Sequence, residues 1–276
     1  MSAEAEKCGY QYSWVGNSTS YAEQGCYEWM ASQLDELKPS RVFDVGCGNG
    51  EGLIALRQRF GCQRLSIDEN AYCLRHAARA LRDRGGRVQT KERFRYADIE
   101  DGRHLIGVEP GEIILRREVM LVQGDLLPAD DELFRFITSR PLFDAVTIWL
   151  IGAFEERKSC VNLDDFKMKR LGEYRLHIQN KTYELAARIL RPGGLLQVVD
   201  RSEIPEDKSL HEELLQSHRD QASTTDLEVL SIAYRPYSEL TGGRGIRVLP
   251  TPGSSGRMPS KFTWGMNSVL ARKPVQ

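Results

Sequence analysis

What this chain lacks narrows its role before anything it contains. It has six cysteines, Cys8, Cys26, Cys47, Cys62, Cys73 and Cys160, but no C-x-x-C pair, and their spacing fits no zinc site. In a chain of 276 residues this reads as reduced thiols, with no metal expected and a cytoplasmic location expected. No apolar run is long enough to cross a bilayer, so no membrane partner is expected. Met1 to Lys7 is acidic and polar, without the basic-then-apolar order of a secretory signal. Net charge is nearly absent: 38 Lys+Arg against 39 Asp+Glu leaves -1. Such a chain has no global field to draw in nucleic acid or anionic lipid.

Two nucleotide signatures are also missing. No G-x-x-x-x-G-K-[ST] occurs, which argues against a P-loop nucleotidase. The dinucleotide fingerprint G-x-G-x-x-G fails as well. Counted from Gly46 its third glycine falls on Glu51, and counted from Gly48 it falls on Leu53.

What is present is an alternation of strands and helices. Arg41 to Val45 is a short apolar run that reads as a buried strand, and Gly52 to Phe60 follows with helical character. Arg64 to Asp68 is a second strand. Ala71, Leu74, Ala77, Ala78 and Leu81 then recur at helical spacing. Glu118 to Gln123, Phe143 to Leu150 and Leu195 to Val199 read as further strands. Helices are expected over Asp130 to Ser139 and Gly172 to Leu190, the latter stopped by Arg191-Pro192-Gly193-Gly194. The order predicts an α/β fold, a three-layer Rossmann-like sandwich with a mostly parallel sheet. Glu228 to Tyr234 and Phe262 to Arg272 are expected as an antiparallel C-terminal edge pair. Residues 1–40 form an aromatic-rich helical arm or lid ahead of a domain over 41–276. An insertion is expected at about 85–117, with a small hairpin as one form it could take, and a flexible loop at about 241–260.

The chemistry gathers at Asp44-Val45-Gly46-Cys47-Gly48-Asn49-Gly50, between a strand and a helix. Glycines there let the backbone turn sharply and let a ligand lie against bare main chain. In an open α/β sheet, ligands sit at the carboxyl ends of the strands. An acid ahead of the glycines suits a positively charged ligand better than a pyrophosphate. Together with Asp68-Glu69 after the second strand, Gly124-Asp125-Leu126 after the third, Phe143-Asp144 opening the next and Leu190-Arg191-Pro192-Gly193-Gly194, this cluster resembles the class I S-adenosylmethionine-dependent methyltransferases. The matches run from about Arg41 to Asp200 in the family's order.

The resemblance implies S-adenosyl-L-methionine as cofactor. It implies a cofactor site made by Asp44, Gly46, Cys47, Gly48, Gly50, Asp68, Glu69, Asp125, Leu126 and Trp149, with Asp68 on the ribose hydroxyls and Asp125 near the adenine. It implies in-line transfer of a methyl group. Past the fourth strand the family's amino-methylating enzymes of DNA, glutamine and some rRNA bases carry Asn/Asp-Pro-Pro-Tyr, whereas this chain has Trp149-Leu150-Ile151-Gly152. Elimination leaves a small-molecule acceptor as the expectation. A protein or RNA acceptor, a catalytically silent scaffold and an NAD-dependent oxidoreductase stand as alternatives. The catalytic candidates are His177 and Glu155. His76 is expected to be solvated, and His211 and His218 are expected on a surface helix.

Overall fold

The computed structural model describes residues 3–99, 102–107, 118–140, 142–152, 160–166, 168–169, 171–240 and 263–275. Two helices come first, α1 (Ala3–Glu23) and α2 (Cys26–Ser32), with Gly25 between them in the left-handed region. The α/β core follows as β1 (Arg41–Val45), α3 (Glu51–Phe60), β2 (Gln63–Asp68), α4 (Ala71–Asp83) and β3 (Val88–Lys91). A hairpin, β4 (Phe94–Ile99) and β5 (Gly102–Gly107), leads to β6 (Val119–Gln123), α5 (Asp131–Thr138) and β7 (Phe143–Trp149). A short 3-10 helix over Val161–Phe166 precedes α6 (Leu171–Ile189), β8 (Leu190–Glu203), α7 (Lys208–Ala222), β9 (Glu228–Pro236) and β10 (Trp264–Arg272).

Eight strands form one sheet in the order β3-β6-β2-β1-β7-β8-β10-β9. Every neighbouring pair is parallel except those made by β10, which runs against both β8 and β9. The expected antiparallel pair is therefore present, and the later strand lies inside the earlier one. From β1 the chain adds β2 beside it, β3 at the edge and then β6 between those two, before returning to start the other half at β7. That reversal is the switch point at which doubly wound sheets open a ligand crevice. This is a Rossmann-like α/β fold.

Strand alternation explains the three layers. Phe43 and Val45 of β1 point to one face, into a core with Leu133 and Ile137 of α5 and Ile178 and Leu185 of α6. Val42 points to the other face, against Met30 of α2 and Leu56 of α3. The helices are locally capped. Asn70 accepts the Tyr72 amide at the start of α4, and Asp130 accepts the Leu133 amide at the start of α5.

Three expectations change. The stretch from 85 is not all insertion, because Val88–Lys91 pairs parallel with β6 and forms the sheet edge. Its mixed, half-exposed pattern is that of an edge strand and gives little periodic signal. The paired strands β4 and β5 are the inserted piece, and 100–101 and 108–117 lie outside the described residues. His218 is not a surface group: α7 buries it, and its Nδ1 meets the Tyr183 hydroxyl at 3.1 Å. His76 is half-buried and lies 3.2 Å from the Gln11 side chain. The loop expected at 241–260 falls outside the described residues.

Candidate active site

The glycine loop leaves the carboxyl end of β1. Gly46, Gly48 and Gly50 hold φ of 84, 49 and 93°, a region side-chain-bearing residues rarely adopt. The loop is pinned by the Gly46 amide on the Ile67 carbonyl at 2.8 Å and the Gly50 amide on the Cys47 carbonyl at 2.9 Å. Gly50 then starts α3.

Four strand ends meet around this loop and line a crevice that opens to solvent. β1 contributes Asp44 and the loop through Gly48. β2 contributes Asp68, Glu69 and Asn70. β6 contributes Gly124, Asp125 and Leu126, and β7 contributes Trp149 to Gly152. Cys73 of α4, Tyr174 and Ile178 of α6, Tyr10 and Trp14 of α1 and Tyr27 of α2 add to the walls. Of the residues expected around the cofactor, Asp44, Gly46, Cys47, Gly48, Asp68, Glu69, Asp125, Leu126 and Trp149 all line this space. Gly50 does not; it lies against Ala77 of α4, where a Cβ would come within 3.0 Å of the Ala77 backbone.

The carboxylates are tied down before any ligand arrives. Asp44 accepts the Ser66 hydroxyl at 2.6 Å and the Thr147 hydroxyl at 2.8 Å, which bridges β1 to both neighbours. Asp68 accepts the Gly48 amide at 2.9 Å and the Asn70 amide at 2.8 Å. Asp125 accepts the Leu127 amide at 3.0 Å. Burial pushes all three up from the usual carboxylate range: Asp44 to about 6, Asp68 to about 7, and Asp125 to about 8. Glu69 adds to the rise of Asp68 and Asp125 by charge repulsion.

Burial raises the Cys47 and Cys73 thiols well above their ordinary value, which makes them poor nucleophiles. Trp149 is held by its indole donating to the Gln197 side chain at 3.1 Å. Leu150, just past it, is buried with φ 58°, a strained value for a leucine, at the crevice wall.

Helix α1, within the 1–40 stretch read as an arm or lid, packs against the crevice. A Cβ on Gly48 would lie 2.6 Å from the Trp14 indole nitrogen, and one on Gly152 would lie 2.1 Å from the Tyr10 hydroxyl. Ile151 takes the equivalent face of Gly46 at 2.6 Å. The loop is thus not bare main chain, as its glycines suggested, but is already covered by side chains. Polar contacts fasten the helix. Gln11 donates to Asn49 at 3.0 Å, Asn49 donates to Ser18 at 3.2 Å, and Asn70 donates to the Lys7 carbonyl at 3.0 Å. The buried Lys7 ammonium lies 3.9 Å from Glu69.

The catalytic candidates fare differently. His177 sits on α6 with its ring against Phe166, at 5.4 Å between centroids, and does not line the crevice, although Tyr174 and Ile178 on the same helix do. Glu155 lies outside the described residues. Sequence reasoning missed Lys7, Asn49, Asn70 and Tyr174. Asn70 alone carried a local signal, as a polar cap two residues beyond Asp68. Among the described residues no cluster of His, Cys, Asp and Glu could hold a metal ion, and no helix is long and apolar enough to cross a membrane.

No protein-family model and no curated protein sequence matches the chain. Among solved structures it is similar to a candidate sarcosine dimethylglycine methyltransferase from Galdieria sulphuraria, with 14% identity over 90% of this chain and 85% of the other and a TM-score of 0.47. It is also similar to the N-methyltransferase NodS from Bradyrhizobium japonicum, in complex with S-adenosyl-L-homocysteine, with 10% identity over 88% and 85% of the two chains and a TM-score of 0.44. A third likeness is to the [4+2]-cyclase SpnF, with 15% identity over 90% and 81% and a TM-score of 0.46. The strand order itself is that of a Rossmann-like α/β fold.

Proposed function

We propose that this chain binds S-adenosyl-L-methionine in the crevice at the switch point and catalyses in-line methyl transfer to a small-molecule acceptor. One observation carries the reading. Four acids, Asp44, Asp68, Glu69 and Asp125, converge from three adjacent strand ends around a glycine loop, and no Lys, Arg or His stands among the lining residues described. A phosphate-bearing cofactor would meet this surface with like charge. A ligand carrying ammonium and sulfonium groups would relieve the cost of burying carboxylates.

The residues present fit such a group. Asp68 and Glu69 offer acceptors to ribose hydroxyls, Asp125 offers one to an exocyclic amine, and Leu126 offers an apolar surface to a ring. Asp44, at the start of the loop, would face the amino-acid end. The bound donor supplies a methyl group already activated by positive charge. The chain then has to hold donor and acceptor in line and exclude water. Trp149, fixed by Gln197, and the strained turn at Leu150 give that space a rigid wall. In this reading α1 is the cover: Trp14 leaves Gly48 to admit the donor, and the contacts of Gln11 and Asn70 close the helix again.

Calorimetry with S-adenosylhomocysteine and with NAD⁺ tests the proposal. Saturable binding of the first alone is expected. Binding of NAD⁺ alone would replace this reading with a nicotinamide enzyme.

A further inference from the structure

We infer that the acceptor is an amine, methylated at a nitrogen lone pair and leaving as an ammonium ion held among aromatic rings beside the acidic crevice. The inference rests on the donor reading above and concerns the half of the site past β7.

The first ground is charge. Every ionisable lining residue described, tyrosines and cysteines aside, is an acid. Three described cations on α1, α6 and β8 are already engaged. Lys7 faces Glu69. Arg201 donates to the Tyr21 hydroxyl at 2.6 Å, pairs with Glu239 at 3.5 Å, and lies over the Trp14 ring at 5.8 Å. Arg175 is bonded to Asp200 at 3.2 Å. An acceptor carboxylate or phosphate would enter beside these acids, with no cation among the described lining residues. An acceptor that gains positive charge during the reaction meets the opposite situation.

The second ground is the wall itself. Tyr10, Tyr27, Trp149 and Tyr174 line the crevice from four different elements. Aromatic faces attract a cation through their quadrupoles, most strongly where water is excluded. The third ground is proton chemistry. The walls past Trp149 described here, Leu150, Ile151, Gly152, Tyr174 and Ile178, carry no carboxylate or imidazole. Burial and the neighbouring acids hold the Tyr10 hydroxyl protonated. An amine that enters as the free base, its proton already lost to water, attacks with its own lone pair, whereas a hydroxyl acceptor has to give up its proton to a base.

The step balances without one. The nitrogen lone pair forms the bond to the methyl carbon, and the carbon–sulfur bond breaks with its electron pair going to sulfur. The products are a neutral thioether and a methylated ammonium ion. The positive charge passes from sulfur to nitrogen, and any N–H proton is lost to water after release.

The test uses the full chain saturated with S-adenosylhomocysteine and two probes with the same ring, benzyltrimethylammonium and benzoate. The ammonium probe is expected to bind at least tenfold more tightly. Tyr174→Leu should weaken it roughly tenfold while Tyr174→Phe, which keeps the ring, restores it. Benzoate binding as well as the ammonium, or no ammonium binding at all, overturns the inference but leaves the donor reading standing. Failure of S-adenosylhomocysteine itself to bind overturns both.

Discussion

The Asp68 carboxylate and the Gly48 amide are joined by a 2.9 Å hydrogen bond across the carboxyl ends of two neighbouring strands. One carboxylate oxygen therefore fixes the glycine loop while the other caps the turn at Asn70. A residue placed to bind ligand also shapes the loop that the ligand touches.

Asp68→Ala should weaken S-adenosylhomocysteine binding by about 1–3 kcal/mol, the range for losing charge-assisted hydrogen bonds. Titration calorimetry reads it directly. Unchanged affinity would remove Asp68 from the site.

Trp14 and Gly48 should behave as a coupled pair. Gly48→Ala introduces a Cβ both at positive φ and 2.6 Å from the Trp14 indole nitrogen. The backbone part costs about 1–2 kcal/mol in any background. The steric part should vanish in Trp14→Ala, giving a coupling of about 0.5–3 kcal/mol in a denaturation cycle. Trp14→Ala alone should speed S-adenosylhomocysteine association several-fold in stopped flow, since the face of Gly48 is then open. Strict additivity together with an unchanged association rate would show that the indole does not guard the loop.

Binding should expel protons. Asp44, Asp68 and Asp125 sit at about 6, 7 and 8 in the folded chain, above the ordinary value of 3.8. Between those limits the folded state holds protons that the unfolded state has released. Ligand-free stability therefore falls as pH rises from about 4 toward 8 through these groups. A cationic ligand favours the carboxylates, so its affinity should rise over pH 6 to 8. Calorimetry at pH 7 in buffers of different ionisation enthalpy should show net proton release. Proton uptake would contradict the assigned charge of the ligand.

His218 acts in the opposite sense. Burial lowers it from 6.5 to about 4, so the folded chain keeps the imidazole neutral where the unfolded chain protonates it. The stability this gives is complete above pH 6.5 and declines by about 3 kcal/mol as pH falls to 4. His218→Gln should flatten that acid limb in urea denaturation. An unaltered limb would mean the ring is reached by water in solution.

The parallel core and the crevice were legible because strand ends, glycines and acids are local signals in a fixed order. Asp44, Asp68 and Asp125 each follow or close an apolar run, and the doubly wound topology brings such ends together. Other features depend on partners far along the chain. Nothing near His218 announces that Tyr183 will bury it, because α7 is polar on most of its surface. The aromatic content of α1 suggested a cover, but that Trp14 would rest on Gly48 and Tyr10 on Gly152 follows only from how the helix docks. Val88–Lys91 was absorbed into an insertion because a four-residue, half-exposed edge strand shows almost no alternation.

The placement of β10 bears on biogenesis. Trp264–Arg272 occupies a slot between β8 and β9, both synthesised earlier. Until the ribosome has released that segment, each of those strands presents a row of unsatisfied amides and carbonyls, and β9 has no sheet to join. A nascent chain halted before Trp264 would carry two sticky margins, a target for chaperones and a template for misassembly.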